Sequence, residues 1–397
     1  MTLHSTVTLN HLQDAHDVTA LLRSLGRPRV EGLYVHVPFC FHKCHYCDFY
    51  SIVDSADRQG SFTRRLVEEM RAVGAEVSGS VRTVFVGGGT PTLLSAEAWS
   101  QLFQGLRAAF DLADLQEFTV EANPETVDEQ LLQVLAAGGV NRLSIGAQSF
   151  DPGHLKTLER WHDPASVERA VAAARLTGFD DINLDLIFAI PGQDLEAVRR
   201  DLDRALELEP THLSCYSLMY EPNTPLMQKL RQGRVERCDI DREAAMLELV
   251  MDHLAAAGFG QYEISNYARP GRACRHNQLY WENGNYLALG PSAAGHVDAV
   301  RWKNVAHLGR YLASSGAAPI EETEQLDPDA SLGEQLMLRL RLVAGVEWTW
   351  LEPRLDLRRR RQIDRHVQAG LLERTSTNLR LTRRGLMLAD TVLAELL

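Results

Sequence analysis

The chain has 397 residues, 45% hydrophobic and 24% charged, an ordinary balance for a globular protein with a large core. A formal net charge of −12 argues against a general nucleic-acid-binding surface and leaves the basic run Arg358–Arg361 as the local exception. No stretch approaches the roughly 18 continuous apolar residues of a membrane span, and the six scattered cysteines are no disulfide framework.

The N-terminal segment 1–30 reads as a polar, partly helical extension without an assigned role. It carries no apolar signal-peptide core, so a cytoplasmic, reducing location is expected. From residue 32 apolar runs alternate with amphipathic segments. The runs GLYVHV (32–37), RTVFVGG (82–88), EFTVEAN (117–123), RLSIGAQ (142–148), INLDLIFAI (182–190) and HLSCYSLMY (212–220) read as strands. Helices are expected near 57–75, 96–110, 128–138, 164–177 and 194–207. Six strands alternating with helices predict parallel βαβ units. The strands read as apolar on both faces, as in parallel sheets covered by helices. Pattern alone leaves open whether the sheet curls into a barrel.

Beyond residue 222 the alternation breaks. A long helix over 240–257 precedes a Gly-, Asn- and aromatic-rich region of loops and short strands. A linker is expected over 301–330, most visibly in SSGAAPIEETEQLDPDAS. Residues 331–397 read as helices followed by two strands around a Ser-Thr-Asn turn, a winged-helix-like α+β module.

Cys40, Cys44 and Cys47 follow the first strand with C-x3-C-x2-C spacing, and no fourth cysteine lies nearby. Iron–sulfur cubanes usually take four protein thiolates, so three would leave one iron open. A zinc site completed by His36, His42 or His45 is the alternative. After the second strand comes VFVGGGTPTLL, where Gly87, Gly88 and Gly89 allow backbone to approach a ligand, or simply form a tight βα turn. Glu121, Gln148 and Asp185 recur at or near strand ends, where α/β folds place ligands. A lone buried acid is usually a satisfied core group; several on successive strands suit a shared polar ligand.

These features together resemble the radical S-adenosylmethionine (SAM) enzymes. The resemblance implies a partial (β/α)6 barrel over residues 31–300, with a [4Fe-4S] cluster on Cys40, Cys44 and Cys47 whose open iron chelates SAM. LYVHVPFC, CHYCDF, VGGGTPT, VEANP, RLSIGAQSF and DLIFAIPGQ are similar to the oxygen-independent coproporphyrinogen oxidases and their haem-chaperone relatives. That similarity implies Tyr34, Tyr46, Gly88, Gly89, Thr90, Glu121, Gln148, Arg160 and Asp185 as SAM contacts. True oxidases carry a further cysteine two residues past the third ligand; here that position is Phe49. HNQLYW, with His276, Asn277, Tyr280 and Trp281, resembles the H-N-x-x-Y-W signature of the haem-chaperone branch. Its bland reading is a packed polar-aromatic turn. Its functional reading sets His276 near haem, as axial ligand or propionate partner. Cys274, two residues upstream, reads as incidental.

The resemblance therefore implies a haem carrier that hands its cargo to apo-haemoproteins of respiration. The cluster and SAM would serve as a sensor or a switch between monomer and homodimer. The alternative is an enzyme that oxidatively decarboxylates coproporphyrinogen III to protoporphyrinogen IX.

Overall fold

The computed structural model describes residues 16–397. Six parallel strands form its centre: β1 (Gly32–Val37), β2 (Thr83–Gly88), β3 (Glu117–Ala122), β4 (Arg142–Gln148), β5 (Asp181–Phe188) and β6 (His212–Ser217). The helices Gln59–Gly74, Ala96–Ala109, Glu129–Gly138, Pro164–Leu176 and Leu195–Glu207 connect them in turn. Each strand begins within one residue of its predicted start. Four of the helices are fixed at their first turn by a side chain that accepts an amide three residues on. Ser95 takes Ala98, Asp128 takes Leu131, Asp163 takes Ser166 and Asp194 takes Ala197.

The sheet extends past both edges of this set. The strand β8 (Asn266–Ala268) pairs antiparallel to β6, and β7 (Gly260–Gln261) pairs antiparallel to β8. On the other side β9 (Tyr286–Leu289) pairs parallel to β1, a seventh parallel strand that the sequence pattern did not reveal. Beyond it lie β10 (Ala294–Val297), β11 (Val300–Asn304) and β12 (Ile320–Gln325), all antiparallel. Among the described residues the order β12-β11-β10-β9-β1-β2-β3-β4-β5-β6-β8-β7 is open at both ends.

The inner face of the sheet corrects the expectation of strands apolar on both sides. Registered partners run Tyr34–Phe85–Thr119–Arg142–Asp181 in one row and Glu121–Ser144–Asn183–His212 in the next. Gly146, Asp185 and Ser214 form the row after that. Between them, Leu33, Val35, Val84, Val86, Val120, Leu143, Ile145, Ile182, Leu184 and Leu213 are buried in the main core. One face thus packs on the helices and the other lines a polar lumen, as a half-closed barrel with a ligand site requires.

One further expectation changes. Residues 301–330 are not a free linker: β11, the helix Leu308–Ala313 and β12 fall there, and both strands are hydrogen-bonded into the sheet. Of the N-terminal extension, residues 1–15 lie outside the described residues. Val18–Ser24 forms a helix capped by Asp17, with Val18, Leu21 and Leu22 in the core.

The C-terminal module contains the helices Pro328–Arg339 and Leu357–Gln368 and a small antiparallel sheet. The strands of that sheet are β13 (Val346–Glu347), β14 (Leu372–Arg374) and β15 (Asn378–Leu381), in the order β13-β15-β14. The basic run is partly spent inside it. Arg359 is buried between Asp329 and Asp356 and donates to the Leu396 carbonyl at 3.0 Å. No helix among the described residues is long and apolar enough to cross a membrane.

Candidate functional site

The cysteine loop is fastened at its base by extended pairing. The Cys40 amide donates to the Ile52 carbonyl at 2.9 Å, and the Ile52 amide to Pro38 at 2.8 Å. The turn after β2 continues this pairing: the Gly89 amide donates to Val37 at 2.8 Å and the Thr90 amide to Phe39 at 2.7 Å. The loop's far side is held by His45, whose amide donates to Leu158 and whose carbonyl accepts from Leu226.

Cys40, Cys44 and Cys47 are free, partly buried thiols. Burial pushes Cys40 up and Cys47 to about 12. Two donors face the sulfurs: the Thr90 hydroxyl lies 3.6 Å from Cys40 and an Arg160 nitrogen 3.7 Å from Cys44. Thiol ligands with cationic and hydroxyl donors beside them fit an anionic iron–sulfur cluster. Two of the imidazoles offered for the zinc alternative are hydrogen-bonded elsewhere. His36 lies 3.1 Å from the Tyr34 hydroxyl and 2.7 Å from the Tyr50 carbonyl. His42 stacks on Trp161, and His45 meets Lys229 at 2.9 Å.

Packing alone requires the glycine run. A Cβ on Gly87 would lie 2.7 Å from a Glu121 carboxylate oxygen, and one on Gly89 would lie 2.6 Å from the Phe39 carbonyl. Gly88 has φ +104°, and its Cβ would fall 2.4 Å from the His36 ring. The turn therefore nests between the cysteine loop and β3.

The candidate SAM contacts line the lumen toward the strand ends. Glu121 accepts from the Gly88 amide at 3.0 Å; burial and the nearby Asp185 raise its carboxyl to about 7. Burial also raises Asp185, against donors from Ser144 at 3.2 Å and Asn183 at 2.8 Å. Gln148 has φ +65° and sits at the β4–β5 bulge. The Arg160 guanidinium bridges loop and sheet, donating to the Gly146 carbonyl at 2.7 Å. Tyr46 packs on the apolar cluster of Leu158, Ile187 and Leu218. Tyr34 lies deeper, against Phe85.

Sequence reasoning missed Asp201. Its carboxylate accepts from the Ser149 hydroxyl at 2.8 Å, the Phe150 amide at 2.7 Å and Gln193 at 3.3 Å, fixing the segment that follows Gln148. The signal was present: Asp201 interrupts the buried stripe Ala197, Val198, Leu202, Ala205 of its helix.

HNQLYW is not at this end. Its residues form the helix Arg275–Trp281, seated beneath the first residues of the strands. Glu117, the first residue of β3, accepts the amides of Arg275 at 2.7 Å and His276 at 2.9 Å and the Cys274 thiol at 3.3 Å. His276 is 1% exposed, with Nδ1 2.8 Å from the Thr83 hydroxyl and Nε2 2.8 Å from the Tyr280 hydroxyl. Burial lowers its pKa to about 3. Asn277 faces Tyr262, and Trp281 lies under Arg341 of the C-terminal module. Both ring nitrogens of His276 are thus engaged within the protein.

Comparison with known proteins places these features. Residues 34–205 match the radical SAM superfamily model and residues 326–388 the HemN C-terminal domain. The "Heme chaperone HemW" of Mycobacterium tuberculosis strain H37Rv is 38% identical over 372 residues, covering 92% of this chain and 94% of that protein. Its namesake from Lactococcus lactis is 35% identical over 371 residues, covering 92% and 96%. The solved structure of coproporphyrinogen III oxidase (HemN) from Escherichia coli, titled a radical SAM enzyme, superposes with a TM-score of 0.83. It covers 95% of this chain and 92% of that one at 24% identity, a likeness of fold.

Proposed function

The chain belongs to the heme chaperone HemW family, within the radical SAM superfamily, and on that premise we propose that it binds haem and delivers it to apo-haemoproteins of respiration. The observation that carries this reading is near-full-length identity to proteins of that name, far above the identity to the oxidase whose fold it shares. Phe49, where the oxidases carry a cysteine, agrees with it.

In this reading Cys40, Cys44 and Cys47 would hold a [4Fe-4S] cluster, leaving one iron for SAM. Such a cluster supplies one-electron chemistry when bound. The chain's own residues do the rest. Thr90 and Arg160 donate to the ligand sulfurs and stabilise their negative charge. Asp185 and Glu121 would offer carboxyl oxygens to the polar groups of SAM. Gln148 and the Gly88–Gly89 backbone define the walls, and Tyr34 and Tyr46 give apolar surface. The sheet domain spanning residues 31–300 is the cofactor-binding unit; the module of residues 331–397 braces it through the helix Arg275–Trp281. The protein works in the cytoplasm, and cofactor state sets whether it pairs with a second copy.

Anaerobic reconstitution followed by absorbance spectra with and without haemin tests the reading. A cluster band that depends on the three cysteines, together with a stable haem band, supports it. Failure to form any haem complex in either redox state overturns it.

A further inference from the structure

The connection after β6 stands apart from the one before it. β5 ends at Phe188 and its helix starts at Leu195, but β6 ends at Ser217 and the next long helix starts only at Ile240. The stretch between carries the short helix Pro225–Arg231 and has a hydrophobic cluster of its own, separate from the main core. Leu218, Tyr220 and Leu226 are buried there with Leu158, Ile187 and Ile190. Tyr46, between the second and third cysteines of the trio, packs on that cluster. The insert after β6 thus buries its apolar side chains partly against the cysteine loop, which couples the two segments.

Two polar contacts fix how the insert meets the loop, and both fall on His45. The Leu226 amide donates to the His45 carbonyl at 2.9 Å, and Lys229 Nζ lies 2.9 Å from His45 Nδ1. Three residues apart on one helix, Leu226 and Lys229 share a face, so backbone and ring are gripped together. An ammonium has donors only; Nδ1 is therefore the acceptor, and the imidazole carries its proton on Nε2. The Glu159 carboxylate, 3.5 Å from the same nitrogen, would need that nitrogen protonated and is the longer contact. His45 stands one residue after Cys44 and two before Cys47, so this grip acts within the ligand spacing itself. It also brings a third cation toward the sulfurs, besides Lys43 in the loop and Arg160 at 3.7 Å from Cys44. Arg231, at the end of the same helix, is exposed.

We infer that Lys229 is a positioning residue for the cysteine loop: acting through His45, it holds Cys44 and Cys47 in place and sets a positive charge beside them. This rests on the reading of the trio as cluster ligands. The test compares full-length, anaerobically reconstituted wild type with Lys229→Met, Lys229→Arg and Arg231→Met. Loss of the cluster absorbance to a ferrous-iron chelator, the cluster's reduction potential and the urea midpoint are measured for each. Lys229→Met is expected to lose its cluster roughly tenfold faster, the worth of one hydrogen bond from a charged donor. Its potential is expected to move negative, because a nearby cation is gone. Lys229→Arg, which keeps donor and charge, is expected to restore both, and Arg231→Met to match wild type, as are the urea midpoints of all three. Wild-type behaviour of Lys229→Met overturns the inference and leaves the cluster reading standing. Equal effects in Lys229→Met and Arg231→Met also overturn it, assigning the change to charge at large. So does a lowered urea midpoint in Lys229→Met, which assigns it to general destabilisation. A wild type that takes up no cluster overturns both the inference and the reading beneath it.

Discussion

The backbone amide of His276 donates to the carboxylate of Glu117 at 2.9 Å, joining residues 159 positions apart in the chain. Arg275 and Cys274 share the same carboxylate, so one side chain anchors the start of the helix that closes the lumen from below. Glu117→Ala strands two buried donors and one part-buried donor at once. It is expected to cost about 3 kcal/mol in urea denaturation, with cluster content after reconstitution unchanged.

Gly88 and Gly139 both have positive φ, +104° and +98°, but only Gly88 lies against another side chain. Gly88→Ala drives a Cβ into the His36 ring and is expected to cost more than about 2 kcal/mol. Gly139→Ala, with open space around it, is expected to cost about 1 kcal/mol. Equal costs would show that the turn after β2 is looser than its packing implies.

His276 is held neutral by burial, with a folded pKa of about 3 against an ordinary 6.5. Between these values the unfolded chain binds the extra proton, so this group lowers stability as pH falls from 6.5 toward 3. The slope is up to ~1.4 kcal/mol per pH unit. Glu69 and Glu121, raised to about 7, act oppositely: their contribution is fully present below about 4.5 and is lost as pH rises toward 7. The difference between wild type and His276→Gln isolates the histidine. The variant is expected to show a shallower acid loss in denaturation midpoints measured from pH 6.5 to 4.5.

The six free cysteines divide into the loop trio and Cys215, Cys238 and Cys274. Cys44→Ser is expected to abolish the visible absorbance of reconstituted protein, while Cys238→Ser leaves it intact. Equal loss in both would remove the trio from its assigned role.

Much of the architecture was legible because alternating apolar runs and capped amphipathic segments follow local rules. Helix starts at Ser95, Asp128, Asp163 and Asp194 are written in single side chains. The polar lumen was also written, in R-L-S-I-G-A-Q and E-F-T-V-E-A-N, where polar and apolar residues alternate with period two. High average hydrophobicity masked it. What local pattern could not carry was long-range: β9 became a parallel partner of β1 only through the tertiary fold, and residues 301–330 became sheet by pairing across an edge. The place of HNQLYW was hidden for the same reason. Its role depends on Glu117 and Thr83, which lie on other strands. The cysteine loop was legible at once, because its chemistry lies in spacing along the chain.

Haem transfer tests the central claim most directly. Reconstituted protein loaded with haemin is mixed with an apo-haemoprotein and the two are separated. The account predicts that haem leaves this chain and appears as the holo form of the acceptor. An inability to load or pass on haem would contradict it, as would protoporphyrinogen IX formed from coproporphyrinogen III under reducing anaerobic conditions with SAM.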